Sequence, residues 1–359
     1  MMARASSAFD GRRLLRIAVP LAATVAALAV GLVLIALSGK SVPDAVEAFI
    51  DGAFGSSFAF GASINRAVAL ALVGLGFIIA FRANLTNVGG EGQIAVGGMA
   101  ATAVALYGGV SVLPFGLAAL LPLLAAAMCG AAWGGIAGAM KVRFGTNEVI
   151  STLLLGFIAL LLVYGSVQST DLLRQPQTDS ATLPESLPLP GAARLPMLTG
   201  DPSSPLHWGL LICLMAAIAT AIVLQRSTFG VRLRAVGLNP LAARRAGMAC
   251  DALTIAALSI AGAFGGLAGA IMIQGEQHSL KAGFSSGYGF DGLVVGLLSR
   301  GSAAGVLVGA LFFGVLRSGG ISMEIIAGVP AALTLVIQGL IVIAVAGSVI
   351  LTETPGQER

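Results

Sequence analysis

Charged side chains are scarce in this chain. They make up 10% of its 359 residues, whereas 57% of the residues are apolar. A soluble domain of this length could not bury that much apolar surface, so the composition excludes a soluble protein and predicts an integral membrane protein. The net charge of +4 is explained by membrane topology and gives no argument for nucleic acid.

Histidine and cysteine are also rare. His207 and His278 are the only histidines, and neither stands at a metal-ligand spacing. The three cysteines, Cys129, Cys213 and Cys250, suggest no disulfide framework. No catalytic constellation is visible. We therefore expect no catalytic residue, no metal site and no bound cofactor, and the chain is not predicted to be an enzyme.

A nucleotide-binding loop is missing as well. The letters SGKS at 38–41 resemble the end of a phosphate-binding loop, but Leu34 occupies the place of the glycine that begins the motif. The stretch also sits at the end of an apolar helix, where no strand precedes it. The chain therefore has no visible nucleotide site of its own.

Long uncharged segments are abundant, and each is long enough for a helix across about 30 Å of hydrocarbon. Glycines and a proline near 108–114 divide the run 92–140 into two spans, and the region 284–317, cut by three charged residues, is expected to hold two more. The remaining spans are 17–37, 67–81, 149–170, 202–225, 252–275 and 325–352. This pattern predicts an all-α polytopic membrane protein with about ten transmembrane helices.

The distribution of basic residues predicts the orientation. With ten spans and both termini in the cytoplasm, 14 of the 20 basic residues lie inside, as the positive-inside rule requires. The segment 12–37 resembles a secretory signal, but its apolar part is longer than usual, so we expect a retained first helix. The inner residues are Arg4, Arg12, Arg13, Arg16, Arg82, Lys141, Arg143, Arg226, Arg232, Arg234, Arg244, Arg245, Arg300 and Arg359.

The spans are expected to form a single permease domain, 1–359. Residues 1–16 form its cytoplasmic N-terminus and 39–63 include a short helix along the membrane interface. A proline-rich periplasmic loop, 168–206, is expected to be an extended cover. The cytoplasmic loop 226–250 contains a turn followed by a surface helix that starts at Asn239, with Pro240 at its first position. It is either a basic loop and nothing more, or a docking segment for a partner.

Repeated glycines predict close helix packing. Gly130, Gly134 and Gly138 recur every four positions, as do Gly265 and Gly269. Packing inside one bundle is favoured over a dimer face.

A second pattern, Gly-x-acid-Gly, occurs at 89–92 and again at 289–292. The span count puts the first at the cytoplasmic side and the second at the outer side, as an inverted repeat would. Chance recurrence in a glycine-rich chain is the alternative.

Three groups of polar or aromatic residues are candidates for the solute pathway. In the first, Asn84, Asn87, Glu91 and Gln93 either line the path or satisfy backbone groups freed by broken helices. In the second, Asn147, Glu148, Ser151 and Thr152 mark either helix capping or the path. In the third, a base could stack on Phe284, Tyr288 or Phe290, although these aromatics equally suit the membrane interface. Asp291 completes the set, and we expect Glu91→Gln and Asp291→Asn to impair uptake.

Four motifs in order carry a resemblance to a known family: NVGGEGQIAVGGMAA, FGTNEVISTLLL, FGVRLRAVGLNPLAARRAGM and the glycine-rich stretch beginning GFSSGYGFDG. They resemble the permease subunit of ABC importers of the nucleoside and simple-sugar branch, a branched-chain amino acid and ribose permease-like family. The resemblance covers about 64–345 and implies a type II ABC importer permease in the bacterial inner membrane.

The resemblance also implies partners. A cytoplasmic ABC ATPase would bind ATP and magnesium, a second permease, homologous or identical, would complete the channel, and a periplasmic or lipid-anchored binding protein would deliver the solute. Membrane lipid surrounds the chain. The ATPase would contact the coupling loop through residues of 226–250, namely Arg232, Arg234, Gly237, Asn239, Arg244 and Arg245.

The function expected is therefore translocation of a small neutral solute, a nucleoside or simple sugar, driven by ATP hydrolysis in a partner. Amides and hydroxyls can replace the water of such a solute without burying an unpaired charge. An ABC permease for another solute, such as a branched-chain amino acid or vitamin, is one alternative. An ion-coupled secondary transporter and a structural membrane scaffold are the others.

Overall fold

The structure is a computed structural model that describes residues 3–114, 116–178, 183–200 and 203–352. These residues form thirteen α-helices and only isolated β-bridges, so the predicted all-α class is confirmed. The helices are α1 Ala3–Leu37, α2 Val42–Phe54, α3 Ser57–Arg82, α4 Gly90–Tyr107, α5 Leu117–Phe144, α6 Glu148–Gln168, α7 Gly209–Arg226, α8 Thr228–Leu238, α9 Pro240–Arg245, α10 Cys250–Met272, α11 Tyr288–Leu298, α12 Ala303–Ile326 and α13 Ala331–Thr352.

Six helices in the described residues are long and apolar enough to cross a membrane: α3, α5, α6, α7, α12, and α10 together with a π-helical turn at Ile273–Gln277. Every predicted span contains a helix, and the run 92–140 is interrupted between Tyr107 and Leu117, as predicted. Ten crossings remain a prediction. Arg359 and Pro202, which the topology and loop predictions used, lie outside the described residues.

Two compact units divide the chain. The smaller unit contains Met1–Phe60 and Leu316–Arg359, and the larger unit contains Gly61–Val315. The smaller unit has an apolar core in which Ile35 of α1, Ala45 of α2 and Met323 of α12 pack together with Val329. Residues 42–54 form the short amphipathic helix expected within 39–63: α2 buries its small residues and leaves Ile50 and Phe54 exposed.

The core of the larger unit is built around α10. A side chain at Gly130 or Gly134 of α5 would overlap the backbone of α10, and one at Gly269 of α10 would overlap the backbone of α4. Glycine is therefore required where these three backbones touch, because close approach replaces the hydrophobic effect inside a membrane. The prediction that these glycines pack the bundle internally is confirmed.

The described residues 183–200 of the loop 168–206 lie along the segment that follows α10. The amide of Ser186 donates to the carbonyl of Leu280 at 2.9 Å, that of Leu189 donates to His278 at 2.7 Å, and Leu195 donates to Gln274 at 3.0 Å. Near its end, the Pro205 carbonyl accepts a 2.7 Å hydrogen bond from the Asn65 amide. Helix α3 begins at Ser57, well before the predicted apolar run 67–81, and the Ser56 hydroxyl accepts the Ala59 amide at its start at 3.0 Å.

His207 closes this loop at the start of α7. Its Nδ1 accepts the Gly209 amide at 3.1 Å, and its fully buried Nε2 has no partner. Burial, and then the charge of His278, lower the pKa of His207 to about 4. The side chain is therefore neutral in the folded protein at neutral pH.

Stability should fall as the pH drops from about 6.5, the usual histidine value, towards the pKa of about 4, because the folded state resists protonation of His207. The loss should reach roughly 3 kcal/mol over that interval. Thermal unfolding of the purified chain and of His207→Asn between pH 7 and pH 4.5 checks this. The stability advantage of the natural chain should shrink with acid, and a constant difference would contradict the prediction.

The loop 226–250, which the sequence predicts to be cytoplasmic, differs from its prediction in one respect. Arg232, Arg234 and Gly237 were expected in a turn, but they lie in helix α8, which Ser227 caps by accepting the Gly230 amide at 3.1 Å. The turn is confined to Asn239. That residue caps α9 by accepting the Ala242 amide at 3.0 Å, so the predicted helix start at Asn239 and Pro240 is confirmed.

Candidate functional site: the meeting point of two helix N-termini

Helices α4 and α11 begin at the same level of the larger unit, beside Val73 of α3. A methyl group at Gly90 would lie 2.9 Å from the Val73 side chain, and one at Gly292 would lie 2.6 Å from it. Val73 precedes Arg82, the end of α3, by nine residues, or about 13 Å of helix. Since the hydrocarbon core is about 30 Å thick, both helices start near its middle.

The two helices run in opposite directions from this point. Residues 93–98 of α4 follow α10 towards its C-terminal end, where Gly98 meets Phe284. Residues 292–296 of α11 follow α3 towards its C-terminal end, where Gly296 meets Phe77. Because α3 and α10 are antiparallel, α4 and α11 diverge. The predicted placement of the two Gly-x-acid-Gly segments on opposite membrane sides is wrong, since the chain reaches the middle from both sides and the segments touch there.

Glu91 joins the two N-termini. Its Oε1 accepts hydrogen bonds from the Ser285 hydroxyl at 2.6 Å and from the Gly287 amide at 2.9 Å, and its Oε2 accepts from the Gly289 amide at 2.7 Å. The Glu91 side chain is buried. A buried carboxylate is costly unless it is paired or hydrogen-bonded, and here three donors, two of them at the positive end of α11, satisfy it.

An amide pair supports the non-helical segment that leads into α4. Asn87 and Gln93 exchange two hydrogen bonds, of 3.0 and 3.2 Å, and Asn87 Oδ1 also accepts the Gly89 amide. The Thr152 hydroxyl of α6 accepts the Val88 amide at 3.1 Å. The Asn87 and Thr152 side chains therefore accept hydrogen bonds from backbone amides outside the helix. For Asn87, this is the role that the sequence predicted. A role in contacting solute remains a prediction.

The polar residues at the start of α6 bond mainly within the helix or to α5, and Asn147 is its cap. Asn147 accepts the Val149 amide at 2.8 Å, and the Ser151 and Thr152 hydroxyls donate to carbonyls one turn earlier. Glu148 forms a 2.6 Å ion pair with Lys141 of α5. The geometry supports capping for Asn147, while a role of these four residues in the solute path stays a prediction. Thr152 alone of the four also reaches the meeting point.

The remaining predicted residues lie around this centre. Asn84 is exposed in the turn after α3, with a left-handed φ of 56° that asparagine tolerates. Tyr288, buried, begins α11, and Asp291, partly buried, lies in its first turn. The described part of the chain has no cluster of three His, Cys, Asp or Glu residues suited to a metal.

Several residues at the site were not singled out from the sequence. Ser285 and Gly287 bind Glu91, although nothing local distinguishes them from other loop residues. Away from this site, the fully buried Gln274 was not singled out either; it donates to the carbonyls of Ala119 and Ala193 at 3.0 and 2.6 Å. A polar amide within the uncharged run 252–275 was the one feature of the sequence that could have indicated this buried role.

Helices whose N-termini meet inside the bundle are typical of transporters built from inverted repeats. Because the N-termini of α4 and α11 belong to a bundle of apolar helices, the fold and the site together define a multi-pass membrane transport protein. The comparisons with known proteins agree. Residues 59–346 match the family described as the permease component of branched-chain amino acid transport systems, and the chain belongs to that family.

Curated relatives cover most of the chain. It is 38% identical to a glucose ABC transporter permease protein of Haloferax volcanii, over 90% of this chain and 85% of the relative. It is 35% identical to a guanosine ABC transporter permease protein of Bacillus subtilis, over 94% and 95%, and 30% identical to a nucleoside ABC transporter permease protein of Lactococcus lactis, over 89% of each. No solved structure matches. The chain is therefore an ABC transporter permease.

Proposed function

We propose that this permease imports a nucleoside or a simple sugar across the bacterial inner membrane, with both termini in the cytoplasm. The observation that carries the proposal is the meeting of α4 and α11 at Glu91, because helix N-termini that meet inside the bundle place backbone amides and glycines beside a passage. The relatives named for guanosine, nucleosides and glucose support the solute class. Asn87, Gln93, Thr152, Tyr288 and Asp291 are the proposed pathway residues around this point.

A separate ATPase supplies the energy in this proposal, binds ATP and magnesium, and docks on α8 and α9. Exposed apolar residues, Val231, Leu238 and Leu241, accompany the exposed arginines of these helices, which suits a protein partner better than water. A second permease, identical or homologous, and an exported solute-binding protein complete the assembly. In this proposal the chain itself has no cofactor.

The packing supports a mechanical route from the ATPase to the site. A methyl group at Gly237 of α8 would lie 2.6 Å from the Arg82 carbonyl at the end of α3. The chain continues from Arg82 through the segment that Asn87 and Thr152 support to Glu91. A displacement of α8 would therefore be transmitted to the N-terminus of α4 over a short covalent path.

Proteoliposomes provide the test of function. The chain is reconstituted with its ATPase, the second permease and the binding protein, and uptake of labelled guanosine, glucose and leucine is measured with and without ATP. ATP-dependent uptake of guanosine or glucose is expected. Uptake of leucine alone would reassign the solute, and accumulation by this chain alone along an ion gradient would show a secondary transporter.

Replacing both Arg244 and Arg245 by alanine should lower ATP-dependent uptake by about tenfold or more and reduce copurification of the ATPase. Arg244 forms a 2.7 Å ion pair with Asp251, but both side chains are exposed by more than 60%, so its loss should hardly affect folding. Asp251→Asn is the matched control, because it breaks the same pair and keeps the cation. Equal effects of the two changes would argue against docking through these arginines.

A further inference from the structure

The smaller unit contains a cavity of about 250 Å³ between α1, α2, α12 and α13. Its walls are almost entirely apolar. The side chains that shape it include Leu28, Ile35, Val46, Phe49, Met323 and Ile337. An engineered apolar cavity of about 150 Å³ stays free of water and binds small apolar molecules, so this larger cavity calls for an apolar occupant.

The cavity has the depth of one bilayer leaflet. Its α1 wall extends from Leu28 to Ile35, seven residues or about 10 Å along the helix. One leaflet contributes about 15 Å of hydrocarbon, half of the 30 Å core. Ile35 lies two residues before the end of α1, so the cavity reaches from the edge of the hydrocarbon towards its middle.

The cavity opens sideways onto the apolar surface of the unit. Leu28, Leu32 and Val46 line it and are each about 40% exposed. Ile50 and Phe54 continue this exposed apolar surface along α2. In a membrane protein such a surface faces acyl chains, and the opening therefore admits a chain directly from the leaflet.

A cation stands at the shallow end of the cavity. Lys40 follows α1, and its Nζ lies close to Gly328 in the turn between α12 and α13, where a methyl group would be 3.1 Å away. The next residue, Val329, belongs to the apolar core that contains Ile35 and Met323. Lys40 is thus placed where the head of a chain lying in the cavity would emerge, and an ammonium there attracts a phosphate.

We propose that this cavity is a phospholipid site, in which one acyl chain lies between α1, α2, α12 and α13 and the phosphate lies beside Lys40. The lysine of the SGKS stretch, which has no nucleotide role here, would then bind the phosphate of a lipid. The bound lipid fills the interior of the smaller unit and does not depend on which solute the permease carries.

Photo-crosslinking tests the site. The full chain is reconstituted in vesicles of phosphatidylethanolamine and phosphatidylglycerol that contain a phosphatidylglycerol with a diazirine in one acyl chain. After illumination, mass spectrometry should find the lipid on peptides covering 28–35 and 334–338. Val46→Trp, which places an indole in the opening, should strongly reduce this labelling, while Ile50→Trp, one turn away on the same exposed surface, should leave it unchanged.

Lys40→Gln tests the phosphate contact without changing the cavity. It should reduce labelling by the phospholipid probe roughly fivefold, the effect of about 1 kcal/mol for a single lysine, and should not affect a diacylglycerol probe that lacks the phosphate. Equal labelling in Val46→Trp and Ile50→Trp would overturn the site. Loss of the lipid labelling when the second permease is present, in the assembled complex, would overturn it as well.

Discussion

Glu91→Gln is expected to lower uptake by about tenfold or more, while the protein still reaches the membrane. The amide keeps the size of the side chain but replaces one acceptor oxygen by a donor, which then faces the backbone amide of Gly287 or Gly289. A buried donor without a partner costs about 1–3 kcal/mol, and 1.4 kcal/mol corresponds to a factor of ten. Uptake into proteoliposomes at equal protein content measures the effect.

Two further variants separate this effect from general damage. Glu47→Gln changes an exposed carboxylate on α2 and should leave uptake unchanged. Ser285→Ala removes the hydroxyl donor and keeps the backbone donors of Gly287 and Gly289, so by itself it should lower uptake less than Glu91→Gln does. Undiminished uptake in Glu91→Gln would exclude the carboxylate from the mechanism.

Gly289→Ala is expected to have the second large effect. The added methyl group would overlap the backbone of Glu91, including its amide nitrogen, and backbone cannot move aside as a flexible side chain can. Overpacking of this kind costs about 1–3 kcal/mol or more, and separating α4 from α11 also lengthens the hydrogen bonds to Glu91. We expect a lower unfolding temperature together with at least about tenfold slower uptake.

Gly165→Ala is the matched control for Gly289→Ala. Gly165 is also helical, in α6, but a methyl group there meets no atom within 4 Å. Alanine favours a helix over glycine by about 1 kcal/mol, so this variant should be as stable as the natural chain or slightly more so. If both variants behave alike, the close contact of α4 and α11 is not required.

Much of the fold could be predicted because membrane helices are local in origin. A helix satisfies its own backbone, so an uncharged run such as 149–170 is sufficient to predict α6, and Asn239 followed by Pro240 is sufficient to predict the start of α9. The same local reasoning predicted a turn at Arg232 and Arg234, where the structure has helix α8. The cap supplied by Ser227 and the close packing of Gly237 against α3 make that stretch helical.

Only part of the site could be predicted from the sequence. The pattern of glycine, acid and amide at 87–93 indicated that polar groups satisfy a broken backbone. Asn87 does so by accepting the Gly89 amide, and Gln93 holds the Asn87 side chain in place. The partners of Glu91 could not be deduced, because Gly289 is 198 positions away and its approach depends on the packing of α3, α10 and α11. The count of membrane spans also placed the segments 89–92 and 289–292 on opposite sides of the membrane, whereas the tertiary structure brings them into contact.

From the sequence by itself came the membrane class, the helix positions and the family resemblance, since these depend on side-chain hydropathy and on motifs within single segments. Only the tertiary structure decided that α4 and α11 begin together beside Val73, that one carboxylate joins them, and that an apolar cavity lies beside Lys40. Such features arise from which surfaces meet, and in a chain with 49 glycines many close approaches are sterically open until packing selects among them.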